Sequence, residues 1–512
     1  MNKCIKTIEV AWLSLVLSLV LLPALLFNQS AFGDSPKEAN ASNSGIKPSP
    51  AAMSMPPLPA ILQNKLVTLQ PGDDDTTAIN NALSEVSKAG GGTVKLASGT
   101  YSCKTIHLKS NVILQLNGAT ITAINGTDGP EPNTANEKFQ DFGHTHFSNG
   151  FIVGENISNC KILGTGTITG GDAIINDSKN GADKMFSLKL CNNIEIGGLN
   201  ENEKLTFISW GHFAILATGC DGLSIHDCKT AFGPRERDFI DIMECSNVDA
   251  YNISAHSGDD VFKIGSDYSL GMKRACHNIH ARNIQGDSGC NVCMIGSETT
   301  GDISNVTFED ITVNGAGKAG VGITTNDGSV LSDINVRNIT MKKVESPIFI
   351  KVANRGRCPN PQLGKIKNIN ITNVTARDCG AYAIIISGFK GNGYSEIEDV
   401  KIDNLKMIAK GGHPVADASI NPPELNDGNF NMRNIGPEPS YGVWARYFKN
   451  LIILNSNLSF AEPDGRYSIV ADSGSQLMLD NVSMQKGDAG YYQTKDVTGV
   501  VIKNCPGVPS RF

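Results

Sequence analysis

From about residue 150 onward one pattern keeps returning: a polar turn containing Asn or Asp leads into a short strand of alternating apolar residues. GCDGLSIHDCKTAF, CSNVDAYNISAHSG, HNIHARNIQGDSG, ISNVTFEDITVNG, LSDINVRNITMKKV and IKNINITNVTARDCG all have this form. The first inward residues of successive segments are Ile194, Leu223, Val248, Ile279, Val306, Ile334 and Ile369, separated by 29, 25, 31, 27, 28 and 35 residues. A loose period of this size marks a solenoid, in which each unit buries its apolar face only against its neighbours. The repeated unit is made of strands without long helices, so the expected fold is all-β, a right-handed parallel β-helix. An antiparallel sandwich also has many short strands and is the competing architecture. The drift from 25 to 35 residues places extra residues at turns, where they build loops over one face.

The segments before the repeats fit this picture. Asp73-Asp74-Asp75 precede TTAINNALSEVSKAGGG, in which Ala78, Ile79, Ala82, Leu83 and Val86 recur at helical spacing. An Asp there caps the helix by accepting from its free N–H groups, and Gly90-Gly91-Gly92 stops it. A short amphipathic helix ahead of a strand stack is suited to cover the open apolar end of the stack. Upstream, Lys3 and Lys6 precede an almost wholly apolar run from Val10 to Phe27, followed by Ala31-Phe32-Gly33. This reads as a secretory signal peptide over 1–33, and the alternative is an uncleaved anchor at the lower limit of spanning length. Residues 34–62 are rich in Pro, Ser, Ala and Asn without any period, as in a disordered linker. Residues 63–512 are then a single β-helix domain. Its longest insertion, 410–445, is rich in Pro, Asn and Gly and is expected to wall a cleft.

Net charge is −7 and no long basic run occurs, which argues against a nucleic-acid partner. Twelve of the 13 cysteines follow the leader. Export permits disulfides, but buried unpaired thiols stacked in a core explain the positions as well. Cys290 and Cys293 form a CxxC with no second pair at zinc-site spacing, so no metal is expected there.

The chemistry concentrates between Arg237 and Ser297. Asp259-Asp260 follow Asp238 by one coil, with alternating segments around 240–242 and 248–253 between them. Adjacent strands lie about 4.8 Å apart, so coiling brings the three carboxylates into one pocket. Paired carboxylates are the apparatus of glycosidic bond hydrolysis, and three close together cannot all ionise, which keeps a proton in the site. The competing reading is that Asp259-Asp260 merely ends a turn after Gly258.

DDTTAINNAL, GGGTVKLASGTY, GTGTITG, FISWGHFAI and the D-x-I-D segment followed by SGDD together resemble glycoside hydrolase family 28, the polygalacturonase family of pectin-degrading β-helix enzymes. The resemblance covers roughly residues 66–400. It implies that Asp259 is the acid and that Asp238 and Asp260 position and activate water, with inversion at the cleaved carbon. The family's Asn-Thr-Asp falls on Glu236-Arg237-Asp238, its Gly-Asp-Asp on Gly258-Asp259-Asp260, its Gly-His-Gly on Cys290-Asn291-Val292, and its Arg-Ile-Lys on Gly322-Ile323-Thr324. The histidine and both cations that hold a substrate carboxylate are therefore replaced.

Asn291 in place of the histidine can hydrogen-bond a water or sugar hydroxyl but cannot exchange a proton. Lys351, Arg355 and Arg357 in IKVANRGRC are candidates to replace the missing cations and bind an anionic sugar; a solvated basic loop is the alternative. His256 is a candidate cleft residue, with a satisfied turn histidine as its alternative. The expectation is a secreted or periplasmic glycoside hydrolase acting on a plant or algal polysaccharide or its oligosaccharides. It is expected to be monomeric, without a cofactor and without stable membrane insertion after leader cleavage. Two alternatives remain open at this point: a polysaccharide lyase, which would need Ca²⁺ on the carboxylates and a basic residue, and a non-catalytic carbohydrate-binding β-helix.

Overall fold

The computed structural model describes residues 65–124, 136–139, 143–174, 184–231, 237–424 and 431–512. The expected leader, 1–33, and linker, 34–62, lie outside them. No helix among the described residues is long and apolar enough to cross a membrane.

All but two of the strands join one 27-stranded sheet whose neighbours pair in parallel, coil upon coil, as a parallel β-helix requires; Phe389–Lys390 and Tyr394–Ser395 form a small antiparallel pair apart from it. The seven inward residues that mark the sequence period stand in a single register column: Ile194 opposite Leu223, then Val248, Ile279, Val306, Ile334 and Ile369. The column continues through Val400, Leu451, Leu477 and Val500. All are buried in one continuous core. The period therefore exists because each coil must return an apolar side chain to the same place.

Helix α1 (Asp75–Lys88) begins where expected, with the Asp74 side chain accepting from the Thr77 N–H at 3.0 Å. Ile79, Ala82, Leu83 and Val86 enter the same core as Val94, Leu96 and Leu114, so the helix covers the first coils. The buried Asp75 carboxylate accepts from the Gly72 and Ser102 N–H groups, both at 2.8 Å, and pins the helix to the strands.

The turns explain the abundance of asparagine. Each coil bends through residues of left-handed backbone, where Asn and Asp are tolerated best; Asn247, Asn278, Asn305, Asn338, Asn373 and Asn404 have φ between 52° and 58°. Stacked turns bring these side chains into ladders: Asn278 donates to Asn247 at 3.0 Å and Asn305 to Asn278 at 2.8 Å. A second ladder runs from Asp310 through Asn338 and Asn373 to Asn404. The twelve cysteines from Cys103 onward are all buried and unpaired, which selects the stacked-thiol alternative over disulfides.

Candidate active site

The strands Phe213–Thr218, Asp238–Met243, Phe262–Ser266, Cys293–Thr299 and the end of Ile303–Thr325 lie side by side on one face of the solenoid. Their inward residues, among them Ile240, Ile242, Phe262, Ile264 and Ile295, are core. The candidate site forms on the outer side, where these strands begin.

Three carboxylates meet there. Asp238 opens its strand, is buried, and accepts from the Asp260 backbone N–H at 3.1 Å. Asp260, also buried, accepts from the backbone and side-chain N–H groups of Asn291 at 3.0 and 2.8 Å. Asp259 sits at the lip, with its carboxylate 2.6 Å from the Arg237 guanidinium; their side chains are 24% and 35% exposed. Spacing by whole coils brings these groups together.

Their protonation differs. Burial, then the neighbouring charges of Asp241 and Asp259, pushes Asp238 well above the usual carboxylate range. Burial and the charge of Asp259 push Asp260 up to about 6. Burial also opposes ionisation of Asp259, but the Arg237 and Cys290 contacts outweigh it and hold this carboxyl below its ordinary value. Asp259 is thus the ionised member, while Asp238 and Asp260 retain protons most readily. His212, whose Nε2 lies 3.6 Å from Asp238, is kept neutral by burial and by the charge of Arg237.

Two further residues belong to the site: Cys290, which the sequence offered only as half of a CxxC, and Lys318, which it did not single out. Cys290 brings its sulfur within 4.8 Å of carboxylate oxygens of Asp259 and Asp260. Lys318 donates its backbone N–H to the Cys290 carbonyl at 2.8 Å. Burial works against the Lys318 charge, but Cys290, Asp260 and Asp259 more than offset it and raise its pKa. Coil counting from Asp259 would have found both: 31 residues lead to Cys290 and 28 more to Lys318, within the range of the repeat. Asp259, Asp260 and Cys290 are close enough to share a metal ion. As donors for Ca²⁺ they fit poorly. The third is a soft thiol, its pKa raised by burial, where a hard cation takes oxygen ligands, and Arg237 and Lys318 already supply positive charge.

The other candidates have different duties. Asn291 is not available to a sugar as expected, because its amide donates to Asp260 and its oxygen accepts from the Ala319 N–H at 3.0 Å. Lys351 is buried, and its ammonium donates to the carbonyls of Val352 and Gly388, both at 2.7 Å, and to Glu424 at 3.2 Å. Arg355 holds Asp327 through two bonds of 3.0 and 2.6 Å and the Ser297 carbonyl at 3.0 Å. Neither cation is presented to a substrate, because each satisfies buried acceptors. Arg357 follows in the same turn, partly exposed, with its backbone N–H bound to Asp327. His256 lies two residues before Gly258 with its ring paired to Asp287 at 2.9 Å, still 38% exposed.

Behind the acids lies a buried ionic network. Lys263 bridges Asp241 and Glu298, each at 3.1 Å, and His144 pairs with Asp267 at 2.6 Å. Arg355 joins the network through Glu298 and Asp327. It fixes the outer side of the strand that Asp238 opens and of the strand Phe262–Ser266 that follows Asp260.

The family model of glycosyl hydrolases family 28 matches residues 90–420, well over half of the chain. Among solved structures, a hyperthermoactive exopolygalacturonase from Thermotoga maritima aligns with a TM-score of 0.59 at 17% identity, covering 80% of this chain and 95% of that one. A family 28 exopolygalacturonase from Yersinia enterocolitica gives 0.55 at 14%, over 85% of this chain and 78% of the other. A polygalacturonase from Erwinia carotovora ssp. carotovora gives 0.50 at 20%, over 70% and 96%. At these identities the structural likeness establishes the β-helix. No curated protein sequence matches the chain.

Proposed function

Since the chain belongs to glycosyl hydrolases family 28 and is a glycoside hydrolase of polygalacturonase-like type, we propose that it is an exported, inverting enzyme that cuts an anionic plant or algal polysaccharide. The observation that carries this reading is the meeting of Asp238, Asp259 and Asp260 with unequal protonation. Inversion needs one carboxyl that donates a proton to the leaving oxygen and one carboxylate that activates water on the opposite side of the sugar, about 6.5–9.5 Å away.

The family resemblance assigns the donor's part to Asp259. In the resting site Asp259 is ionised against Arg237, while Asp238 and, below about pH 6, Asp260 hold protons. An anionic group on the sugar competes for Arg237; as the guanidinium turns to it, Asp259 loses its counter-charge and takes up a proton from this shared set. Asp260, having given up that proton, then activates the water, while Asp238 keeps its own and helps to position it. Arg237 and Lys318 thereby take over the role of the missing cations, a role that Lys351 and Arg355 cannot fill. The donor set suits a hard cation poorly, which weighs against a Ca²⁺-dependent lyase. The apolar run Val10–Phe27 supports export.

Reducing-sugar release from neutral, uronic and sulfated polysaccharides, with Asp259→Asn as control, tests the proposal. Release from an anionic member, lost in the variant and indifferent to chelator, is expected. Ultraviolet-absorbing products that vanish with chelator would establish a lyase instead. Binding without any release would establish a binding module. N-terminal sequencing of the mature protein is expected to begin near Asp34.

A further inference from the structure

The chain makes its longest departure from the coils between the strands Ile397–Ala409 and Ser440–Phe460. The described parts of this departure lie back over the outer side of the site-bearing sheet. Helix α2 (Met432–Ile435) buries Met432 and Ile435 against Ala319, Phe349, Ala383, Ile385, Trp444 and Val470, outward residues of five successive coils.

Polar clamps fix both flanks of this cover. Glu424 is held by Lys351 at 3.2 Å and Arg446 at 3.4 Å, and Arg446 also donates to the Pro422 carbonyl at 2.7 Å. The buried Glu438 accepts from the Ala383 N–H at 3.2 Å. Arg466 donates to the carbonyls of Ala381 at 3.1 Å and Glu438 at 3.4 Å. The buried cations that the sequence offers as substrate ligands are, in part, the fastening of this segment.

The cover ends within two coils of the acids. The Arg433 guanidinium donates at 2.6 Å to the carbonyl of Gly317, the residue before Lys318. Asp260, Asn291 and Ala319 are linked across successive coils, so the filled surface begins two coil steps from Asp260, about 10 Å away. A polymer running along the solenoid axis through the acids would collide with 431–439.

We propose that residues 431–439 are an end stop: they close the groove on the C-terminal side of the acids, so that the protein attacks polysaccharide chain ends and releases a short product of fixed size. The proposal rests on the hydrolase reading above. A chain end enters over the lip of Asp259 and Arg237, advances until it meets the stop, and is cut at a distance from its terminus set by the gap between the stop and the acids.

The test follows product size on whichever polysaccharide releases reducing ends. The wild-type protein is expected to give one short product from the earliest time point, with viscosity falling only in proportion to reducing ends. Replacing 431–435 by a Gly-Ser run is expected to give a ladder of oligosaccharides and a several-fold steeper loss of viscosity per bond cut. Arg433→Ala, an exposed change that spares the apolar contacts, serves if the larger replacement fails to fold; it is expected to add longer products while reducing-end release continues. A ladder from the wild-type protein would overturn the end stop and leave the hydrolase reading standing. A wild-type protein that releases nothing from any polysaccharide would overturn both.

Discussion

Two neighbouring stretches of one sheet have the same inside and opposite outsides. The strands Asp238–Met243 and Phe262–Ser266 turn Ile240, Ile242, Phe262 and Ile264 inward; Val344–Val352 and Ile384–Ser387 turn Ile348, Ile350, Ile384 and Ile386 inward. Along a single register row the outward residues change from Asp241 and Lys263 through Met294 and Gly322 to Phe349, Ile385 and Trp444. The first group is buried in an ionic network, the second under hydrocarbon from α2. Coil stacking is thus indifferent to what the outer side carries. That side is where chemistry and its boundaries are placed.

The contrast breaks most visibly by substitution in the first stretch. Asp260→Asn should lower turnover roughly 10²–10⁴-fold, the usual worth of a positioned proton-transfer group. Melting temperature should hold or rise, because an amide oxygen still accepts from Asn291 and one buried acid is gone. A drop in both would show that Asp260 is architectural.

Lys263→Met should cost about 3–5 kcal/mol in denaturant unfolding, since it leaves Asp241 buried without its cation and Glu298 with Arg355 alone. Restoring most of that loss by adding Asp241→Asn and Glu298→Gln would confirm that the penalty is uncompensated charge and not lost packing.

In the second stretch Phe349→Ala should cost a similar amount, about 3–5 kcal/mol, through cavity formation. No change of partner charge should rescue it. If it proves neutral, α2 does not press on the sheet in solution.

Acidity separates the two stretches further. Burial pushes Glu438, within the covering segment, up to about 8. Between its ordinary 4.5 and about 8 the folded protein keeps a proton that the unfolded chain gives up. Stability from this group is therefore full below 4.5 and erodes as pH rises through that window. Melting curves at pH 5 and pH 8 should show a smaller alkaline loss for Glu438→Gln than for the wild type. In the acid stretch the protonated form of Asp260 is lost above about 6, so turnover should decline there.

The smallest effect belongs to the turns common to both. Asn373→Ala should cost about 1–2 kcal/mol, for two exposed ladder hydrogen bonds, to Asn338 and from Asn404, and a left-handed backbone that alanine adopts less readily.

What sequence revealed and what it hid follow the same division. The inward column was readable because burial repeats one demand in every coil, and Ile194 through Ile369 pair as their spacing implies. That Asp238, Asp259 and Asp260 come together was readable by the same count. Lys351 and Arg355 were misread because a sequence shows a cation but not the acceptors it faces, here Glu424 and Asp327. Lys318 stayed hidden because it stands four residues before Gly322, where the family pattern directs attention, although coil counting from Cys290 leads to it. The insertion announced itself by composition, but its placement next to Gly317 depends on apolar contacts that no periodicity records.

The stacked cysteines carry a last consequence. Burial pushes the thiols of Cys103, Cys160, Cys276 and Cys379 up to about 12, so at neutral pH they are not thiolates and neither exchange with disulfides nor react readily with oxidants. They serve as small apolar rungs. The β-helix therefore asks nothing of the redox potential around it: it can reach the same fold in a reducing cell or an oxidising medium, without an oxidase or isomerase, and a reducing agent should leave its melting temperature where it was.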